Sequence, residues 1–589
     1  MDEVRISYFK EWITQLPPGN ITYKTINGKR YPYYQWTENG KQRSRVVKAD
    51  EFDELYEKIE QRKVLEKKIK ESGIILGEVG GDYFFTSVKR GIELIDYVEP
   101  VKKWKQRECI NEIKEYIYGD SVDRVFILYG LRRTGKTTLI RQVISEMPQE
   151  MLINTAFIQI NANVDLAKIN MDLKQLYKQG YKYVFIDEVT LMEDFIDGAA
   201  LFSDVYATSG MKIVLSGTDS LGFMFSEDQE LYDRCFMLHT TFIPYREFEA
   251  VLGIQGIDNY IRYGGTMSLG GVKYNQEGMT FATKKSTDEY VDSAIAKNIQ
   301  HSLKNYQQGE RFRHLSELYK NDELTSVINR IVEDINHRFT IEVLTKDFKS
   351  NDLSITAKNL LRDKERQNDA LYRVDIGEVT ERLRNLLEIR NKSEQIVSID
   401  EYHQAEIKEY LDMLDLTVEL DIVYMSDFNR KEKHTAFSQP GMRYAQSEAL
   451  IKSLMKDDIF RMLSLDERNY VTERILSDIQ GRMMEDIVSL ETKNAYPKCE
   501  VFKLIFATGE FDMVVFDSEN SSCSIYEIKH SDKVVPNQYR HLIDKQKCDD
   551  TEFRFGKITG KYVIYRGETC EVEGVQYVNV EEYLNGLGR

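Results

Sequence analysis

Two groups of residues, far apart in the chain, have the types and spacings that phosphate chemistry needs. The first is Gly130-Leu-Arg-Arg-Thr-Gly135-Lys136-Thr137, which fits G-x-x-x-x-G-K-[ST] without deviation. Backbone N–H groups of such a loop point at phosphate oxygens, and the following helix adds a favourable dipole. Gly130 and Gly135 shape the loop, and Gly135 lets the backbone approach closely. Lys136 suits the β- and γ-phosphates, Thr137 suits Mg²⁺, and Thr138 is counted with them as a nucleotide contact. About 50 residues downstream, Val184-Phe-Ile186-Asp187-Glu188 reads as a buried strand ending in two carboxylates. Asp187 is expected to hold Mg²⁺ through water, and Glu188 to polarise the attacking water. A further strand, Lys212-Ile-Val-Leu-Ser216-Gly217-Thr218-Asp219-Ser220, ends in polar residues. Thr218 is the favoured sensor of a γ-phosphate, with Ser216 the alternative. Arg234 has the chemistry of an arginine finger acting in trans, a role that requires a ring or dimer. The nucleotide expected is ATP, with Mg²⁺.

The second group lies near the end of the chain. Gly509-Glu510-Phe511-Asp512-Met-Val-Val-Phe-Asp517 and Cys523-Ser-Ile-Tyr-Glu527-Ile528-Lys529 read as two strands around a polar turn. A hairpin folding about residues 519 and 520 brings Asp512 and Glu527 face to face, and Lys529 lies on the same face as Glu527. Two carboxylates can bind Mg²⁺, while a lysine can activate water and steady charge on phosphate. A surface hairpin with a Glu–Lys cross-pair is the plainer alternative. Downstream, Pro536 starts a helix. Gln538 and Tyr539 are read as its surface face, within reach of a nucleic-acid backbone.

The elements that position these groups follow from pattern. RVFILYG, TAFIQIN, YKYVFIDE and MKIVLSG are apolar strands alternating with helical stretches, which argues for a parallel sheet covered by helices. Helical segments continue to about 325, then a helix-rich stretch to about 430 closes with EYHQAEIKEYLDMLD and the alternating TVELDIVY, a helix feeding a β-wing. The last part has a helix followed by FDMVVFD, CSIYEIK and KYVIYRG as strands. At the other end, a helix precedes a three-stranded meander, ITYKTI, KRYPYYQW and KQRSRVV, with Asn27-Gly28 and Asn39-Gly40 as hairpin turns. Lys24, Lys29, Arg30, Lys41, Arg43, Arg45 and Lys48 face only Glu38 and Asp50 in this segment, among Tyr23, Tyr31, Tyr33, Tyr34 and Trp36. That mixture suits either a nucleic-acid face or a solvated basic sheet. Residues 50–72 form a charged linker helix ended by Gly73, and a second helix spans about Lys105 to Ile117.

The phosphate loop with its paired arginines, the apolar strand ending in Asp187-Glu188 and the polar turn at Thr218 resemble the bacterial and archaeal AAA-type ATPases. In particular the chain resembles those with a C-terminal restriction-endonuclease-like PD-(D/E)xK domain, whose D…(D/E)-x-K pattern Asp512, Glu527 and Lys529 match. Phe242-Ile-Pro-Tyr-Arg-Glu-Phe248 and Tyr260-Ile-Arg-Tyr-Gly264-Gly265 match segments of the family's lid. Thr266 stands where that family has proline, and Asp233-Arg234 where it has Gly-Arg. The resemblance covers roughly 105 to 589 and leaves the N-terminal meander outside. It implies a winged-helix-like segment after the lid. It also implies that an acidic residue on the Gly481-Arg-Met-Met-Glu485-Asp486-Ile-Val helix, Glu485, completes the metal site.

The expected architecture is α/β and multidomain: an N-terminal meander and linker (1–72), a P-loop core (73–235), a helical lid (236–325), a winged-helix-like region (326–470) and a nuclease-like domain (471–589). The expected activity is Mg²⁺-dependent ATP hydrolysis coupled to a DNA-directed nuclease-like domain, in defence or mobile-element biology. The alternative is a nucleotide-driven switch or scaffold that binds nucleic acid or a partner without cutting. A transposition-type loader would not need the second group of residues.

Composition narrows the classes further. The chain has 589 residues, 42% apolar and 30% charged, with only 9 prolines, which excludes collagen-like and low-complexity chains. No apolar run is long enough to span a membrane, and the first residues have no apolar signal core. The six cysteines form no CxxC pair, so neither a zinc ribbon nor a disulfide framework is expected. They fit a reduced, cytoplasmic protein. A net charge of −17 argues against a passive nucleic-acid coat but leaves room for local basic patches.

Overall fold

The structure is a computed structural model. It describes residues 9–587 apart from residues 11, 27–28, 39–40, 49–50, 73–83, 162, 193, 219–222, 224–230, 232, 268–278, 306–311, 356–400, 428–429, 457–459 and 461–462. The expected turns at Asn27-Gly28 and Asn39-Gly40, the helix stop at Gly73, Asp219, Ser220 and much of the expected winged-helix segment fall outside the described residues.

The N-terminal meander is present as β1 (Asn20–Ile26), β2 (Lys29–Glu38) and β3 (Lys41–Val46), antiparallel in that order. Tyr34 and Trp36 stack at 4.8 Å between ring centroids, and Tyr34 packs with Val47 and with Ile59 of the Phe52–Ser72 helix.

The second sheet contains β4 (Ser87–Arg90), β5 (Val125–Tyr129), β6 (Thr155–Gln159), β7 (Tyr183–Asp187), β8 (Lys212–Gly217) and β9 (Cys235–His239). Their order is β4-β6-β7-β8-β5-β9, parallel except for β4. The central strands are apolar throughout because both faces are covered. Ile127, Ile158, Ile186 and Leu215 pack into one core, and their neighbours Phe126, Phe157, Phe185 and Val214 into the other. β9 belongs to this sheet, so the expected boundary at residue 235 falls at the start of an edge strand rather than at the edge of a domain.

The third sheet contains β10 (Thr417–Tyr424), β11 (Lys431–Phe437), β12 (Glu500–Ile505), β13 (Glu510–Asp517), β14 (Ser522–Lys529), β15 (Lys557–Tyr565), β16 (Cys570–Val572) and β17 (Val575–Asn579). Their order is β11-β10-β12-β13-β14-β15-β17-β16. The hairpin expected as the wing of a separate region is thus the edge of this sheet: β10 runs parallel to β12, Asp421 opposite Phe502 and Tyr424 opposite Ile505. Alternation in TVELDIVY specifies a half-covered strand but not its neighbour. The 31-residue helix Leu465–Ala495, started by a Ser464–Glu467 capping box, covers one face.

The lid and the C-terminal unit share a core. Tyr245, Phe248 and Tyr260 of the lid pack in one cluster with Ile479, Met483, Ile528 and Leu584. Two short lid helices also take acceptors from the C-terminal unit at their N-termini. Tyr245 N donates to Glu491 Oε1 at 2.7 Å, and Ile257 N to Glu581 Oε1 at 3.0 Å. Among the described residues no helix is long and apolar enough to cross a membrane.

Burial pushes the Glu491 carboxyl up to about 8, against the Tyr245 N–H and Arg246 that favour its ionised form. Its folded value lies above its unfolded one, so stability is greatest below the unfolded range and falls as pH rises toward 8, by roughly 3 kcal/mol at pH 7. Glu491→Gln, which keeps the acceptor, is expected to melt higher than wild type near pH 7.5, with the difference vanishing near pH 4.5. Parallel melting curves across that range would refute the assignment.

Candidate functional site

β5 delivers the chain into the phosphate loop. Gly130 has φ +136°, and a Cβ there would meet Thr240 Oγ1 at 2.7 Å and Thr241 N at 3.0 Å. Gly135 has φ +92° and is followed at once by the Lys136–Glu146 helix. Lys136 Nζ donates to the Gly130 and Leu131 carbonyls at 2.7 and 2.8 Å. Burial lowers its ammonium to about 8, with Glu188 and Asp187 opposing. Thr137 Oγ1 donates to Asp187 Oδ2 at 2.8 Å, and Thr138 follows in the same first turn, half-buried. Ser216 holds the other Asp187 oxygen from the end of β8. Glu188 has a left-handed backbone, φ 60°, and accepts from Thr218 Oγ1 at 3.3 Å. Burial pushes its carboxyl up, with Lys136 opposing. Ser216 therefore serves Asp187 and Thr218 serves Glu188, two separate jobs. The positive-φ glycine, the inward loop and an all-oxygen Thr137–Asp187 pair fit a magnesium nucleotide.

Arg107 fixes the shape of this loop, and no sequence motif marks it. Its guanidinium, 6% exposed, donates to Glu247 Oε2 at 2.7 Å, the Thr134 carbonyl at 2.8 Å, the Thr240 carbonyl at 3.1 Å and the Phe242 carbonyl at 3.0 Å. Glu247 also accepts from Glu108 N at 2.8 Å. Glu247 does lie in the segment Phe242–Phe248 that stood out in the sequence, but its partner sits in an ordinary basic stretch.

Near the end of the chain the β13–β14 hairpin has the expected register. Met513 pairs with Tyr526 and Asp517 with Ser522, which sets Asp512 opposite Glu527 one step beyond. Lys529 Nζ lies 2.6 Å from Asp512 Oδ2 and 2.7 Å from Glu527 Oε2. Ile528 N donates to the same Asp512 oxygen at 2.8 Å. Burial disfavours ionised Asp512, yet Lys529 and Lys503 hold its carboxyl well below the usual range. Burial and then the Asp512 charge push Glu527 up. Glu527 Oε1 is buried with no hydrogen-bond partner. Asp512 and Glu527 are therefore two carboxylates, one with an unused oxygen, that fit a divalent cation beside an ammonium.

Glu485 is placed differently from the expectation. It pairs with Arg482, and Lys503 Nζ lies 3.4 Å from it, 2.6 Å from Glu510 and 3.6 Å from Asp512. An ammonium stands between Glu485 and Asp512, and among the described residues no three His, Cys, Asp or Glu gather to hold a metal. Gln538 and Tyr539 are not a surface face either. Tyr539 belongs to an apolar core, and Gln538 is buried, donating to the Lys533 carbonyl at 2.9 Å. Gln538, Lys503, Lys529 and Glu510 line a cavity of about 770 Å³.

Residues 122–249, the stretch holding the phosphate loop, Asp187, Glu188 and Glu247, match the model of an AAA domain family (AAA_14). The chain carries an AAA-type ATPase domain. Residues 2–57, helix and meander, match a domain of unknown function (DUF6788). The chain is 28% identical over 122 residues to the ATP-dependent zinc metalloprotease FtsH 1 of Alkaliphilus metalliredigens, covering 20% of this chain and 18% of that protein. It is 23% identical over 277 residues to an uncharacterised protein of Methanocaldococcus jannaschii, covering 43% and 58%. The chain thus spans less than two thirds of the curated relatives it matches. Similar solved structures include C. elegans PCH-2 (TM-score 0.20, 15% identity, 28% of this chain and 50% of that one). They also include the Aeropyrum pernix Orc1 protein in complex with DNA (TM-score 0.21, 13% identity, 64% and 99%).

Within the ATPase domain, Arg234 precedes β9, whose first residue pairs with Val125 at the start of β5. It therefore sits at the sheet end away from the loop that follows Tyr129, roughly 15 Å along the strand. Its half-exposed guanidinium lies 3.3 Å from Asp204. It cannot serve its own phosphate loop.

Lys136→Ala is expected to weaken ATP binding about tenfold or more. Glu188→Gln is expected to bind ATP and lose about 10²–10⁴-fold in turnover. Unchanged turnover in both removes the site. Arg107→Ala leaves Glu247 as an unpaired buried charge and is expected to cost about 3–5 kcal/mol in thermal or denaturant unfolding. A loss below about 1 kcal/mol would show that the clamp is dispensable.

Proposed function

We propose that the chain is a Mg²⁺-dependent ATPase whose nucleotide cycle controls a DNA-directed, nuclease-like site in its C-terminal unit. The observation that carries this reading is the meeting of Asp512, Glu527 and Lys529 at one point, on the same chain as a complete ATPase loop. In the ATPase domain, Thr137 and Asp187 would hold Mg²⁺, Lys136 the β- and γ-phosphates, and Glu188 would orient the attacking water. A bound Mg²⁺ supplies charge neutralisation to the phosphoryl group in either site. At the C-terminal site Asp512 and Glu527 would hold the cation. Lys529, kept charged by both carboxylates against the cost of burial, donates toward a phosphate oxygen or its attacking water.

The N-terminal meander supports DNA as the partner. Lys24, Arg30, Arg43 and Arg45 are exposed, as are Tyr23 and Tyr31. Lys24 lies 4.5 Å over the Tyr33 ring and Arg30 5.3 Å over Tyr23. Cations interleaved with rings suit a phosphate backbone and stacked bases. Arg234 would act on a neighbouring copy, making an oligomer the active form. The six cysteines are free thiols, which suits a cytoplasmic compartment.

One observation favours a second reading, a nucleotide-driven switch that binds without cutting. Lys503 neutralises Glu485, Glu510 and Asp512 from within the cluster. Labelled plasmid and linear DNA incubated with Mg²⁺ or Mn²⁺, with and without ATP, separate the two. Strand scission that disappears in Asp512→Ala and Lys529→Ala is the expected result. ATP-dependent DNA binding with no scission in wild type would establish the switch instead.

A further inference from the structure

The catalytic glutamate is tied to the C-terminal sheet through a short chain of buried polar contacts. Thr218, whose hydroxyl serves Glu188, has its carbonyl held by Asn298 Nδ2 at 2.5 Å. Asn298 is buried, and its Oδ1 accepts from the Tyr410 hydroxyl at 3.3 Å. Ser302 Oγ lies 2.6 Å from that hydroxyl and 3.1 Å from the Asn298 carbonyl, and with Tyr410 donating to Asn298 its single proton goes to one of the two. Tyr410, fully buried, lies on the Glu401–Met413 helix. Three residues after this helix the chain enters β10, and β10 pairs with β12, next to the strand that carries Asp512.

The same joint is held from the phosphate loop. Leu131 N donates to Thr241 Oγ1 at 3.1 Å, Thr241 Oγ1 meets His239 Nε2 at 2.9 Å, and His239 Nδ1 meets Asp415. Asp415 lies in the turn between the Glu401–Met413 helix and β10, with φ 49°. The glutamate thus reaches Tyr410 within the helix, and the loop reaches Asp415 in the turn that follows it.

We infer that Asn298 is a positioning residue for the ATPase reaction. It fixes the Thr218 turn that aims Glu188, and through Tyr410 it makes that aim depend on the helix leading into the C-terminal sheet. The inference rests on the ATPase reading. Thr218 has one hydroxyl proton, and it can give that proton to Glu188 or to a phosphate oxygen, not to both. The amide of Asn298 decides where that hydroxyl sits, because the carbonyl it holds belongs to the same residue. A buried amide that spends its donor and its acceptor on two different segments transmits a shift of either one.

The test compares wild type, Asn298→Asp and Tyr410→Phe. Asn298→Asp keeps the shape but replaces the donor with an acceptor facing the Thr218 carbonyl. Tyr410→Phe keeps the ring and removes the hydroxyl that meets Asn298 and Ser302. Expected are ATP affinity by a fluorescent analogue within about twofold of wild type, kcat lowered at least about tenfold in Asn298→Asp, and KM little changed. In a Glu188→Gln background, hydrogen exchange of residues 401–424 is expected to differ between ATP and ADP, and both joint variants are expected to erase the difference. Wild type that hydrolyses no ATP removes the ATPase reading and this inference with it. Wild type that hydrolyses while Asn298→Asp matches its kcat removes the inference alone. If Asn298→Asp does not fold, an ATP–ADP exchange difference that survives in Tyr410→Phe overturns it.

Discussion

Arg107 carries one planar positive charge into a site almost closed to water, where it meets a carboxylate and three backbone carbonyls. A guanidinium suits this because its donors are fixed in one plane and it does not deprotonate. The carbonyls come from the phosphate loop and from the chain leaving β9, and the carboxylate comes from the first lid helix. Removing water from such a charge is costly, and only full pairing offsets it. The loop, the last strand and the lid must therefore sit in one relative arrangement for any of them to be stable. Lys136, Thr137, Asp187 and Glu188 acquire their geometry inside that frame.

The C-terminal unit follows a related rule with more charges. Lys503 and Lys529 alternate with Glu485, Glu510, Asp512 and Glu527, so each buried charge has an opposite neighbour within about 4 Å. Pairing is uneven. Asp512 takes two ammoniums and a backbone N–H, whereas Glu527 keeps one oxygen unpartnered. Two adjacent carboxyls pushed in opposite directions are the arrangement from which acid–base division of labour is built.

Local signals were legible and long-range pairings were not. Gly130, Gly135 and Lys136 announce a loop because only a few residue types permit that backbone. The polar turn at 518–521 fixed the meeting of Asp512 and Glu527, since a hairpin's register is set by its centre. By contrast, Arg107 and Glu247 are 140 residues apart, and nothing local distinguishes Arg107 from other basic residues around it. The β10–β11 hairpin misled for a similar reason. Its alternation specifies one covered face, and a wing and a sheet edge share that pattern. Tyr539 misled because a proline-led turn suggested an exposed helix, whereas the ring is buried in a core shared with Leu542 and Tyr577.

The parallel pairing of β10 with β12 ties together two stretches of chain that lie far apart in sequence. The first hairpin of the third sheet is encoded well before the long helix and the strands it completes. A recombination break between residues 438 and 499 would strip β12 of a neighbour and leave an apolar edge, with Val501, Phe502 and Leu504 buried in the intact protein, open to association with other chains. Residues from Thr417 to the last strand therefore form one sheet that is complete only when both parts of the chain are present.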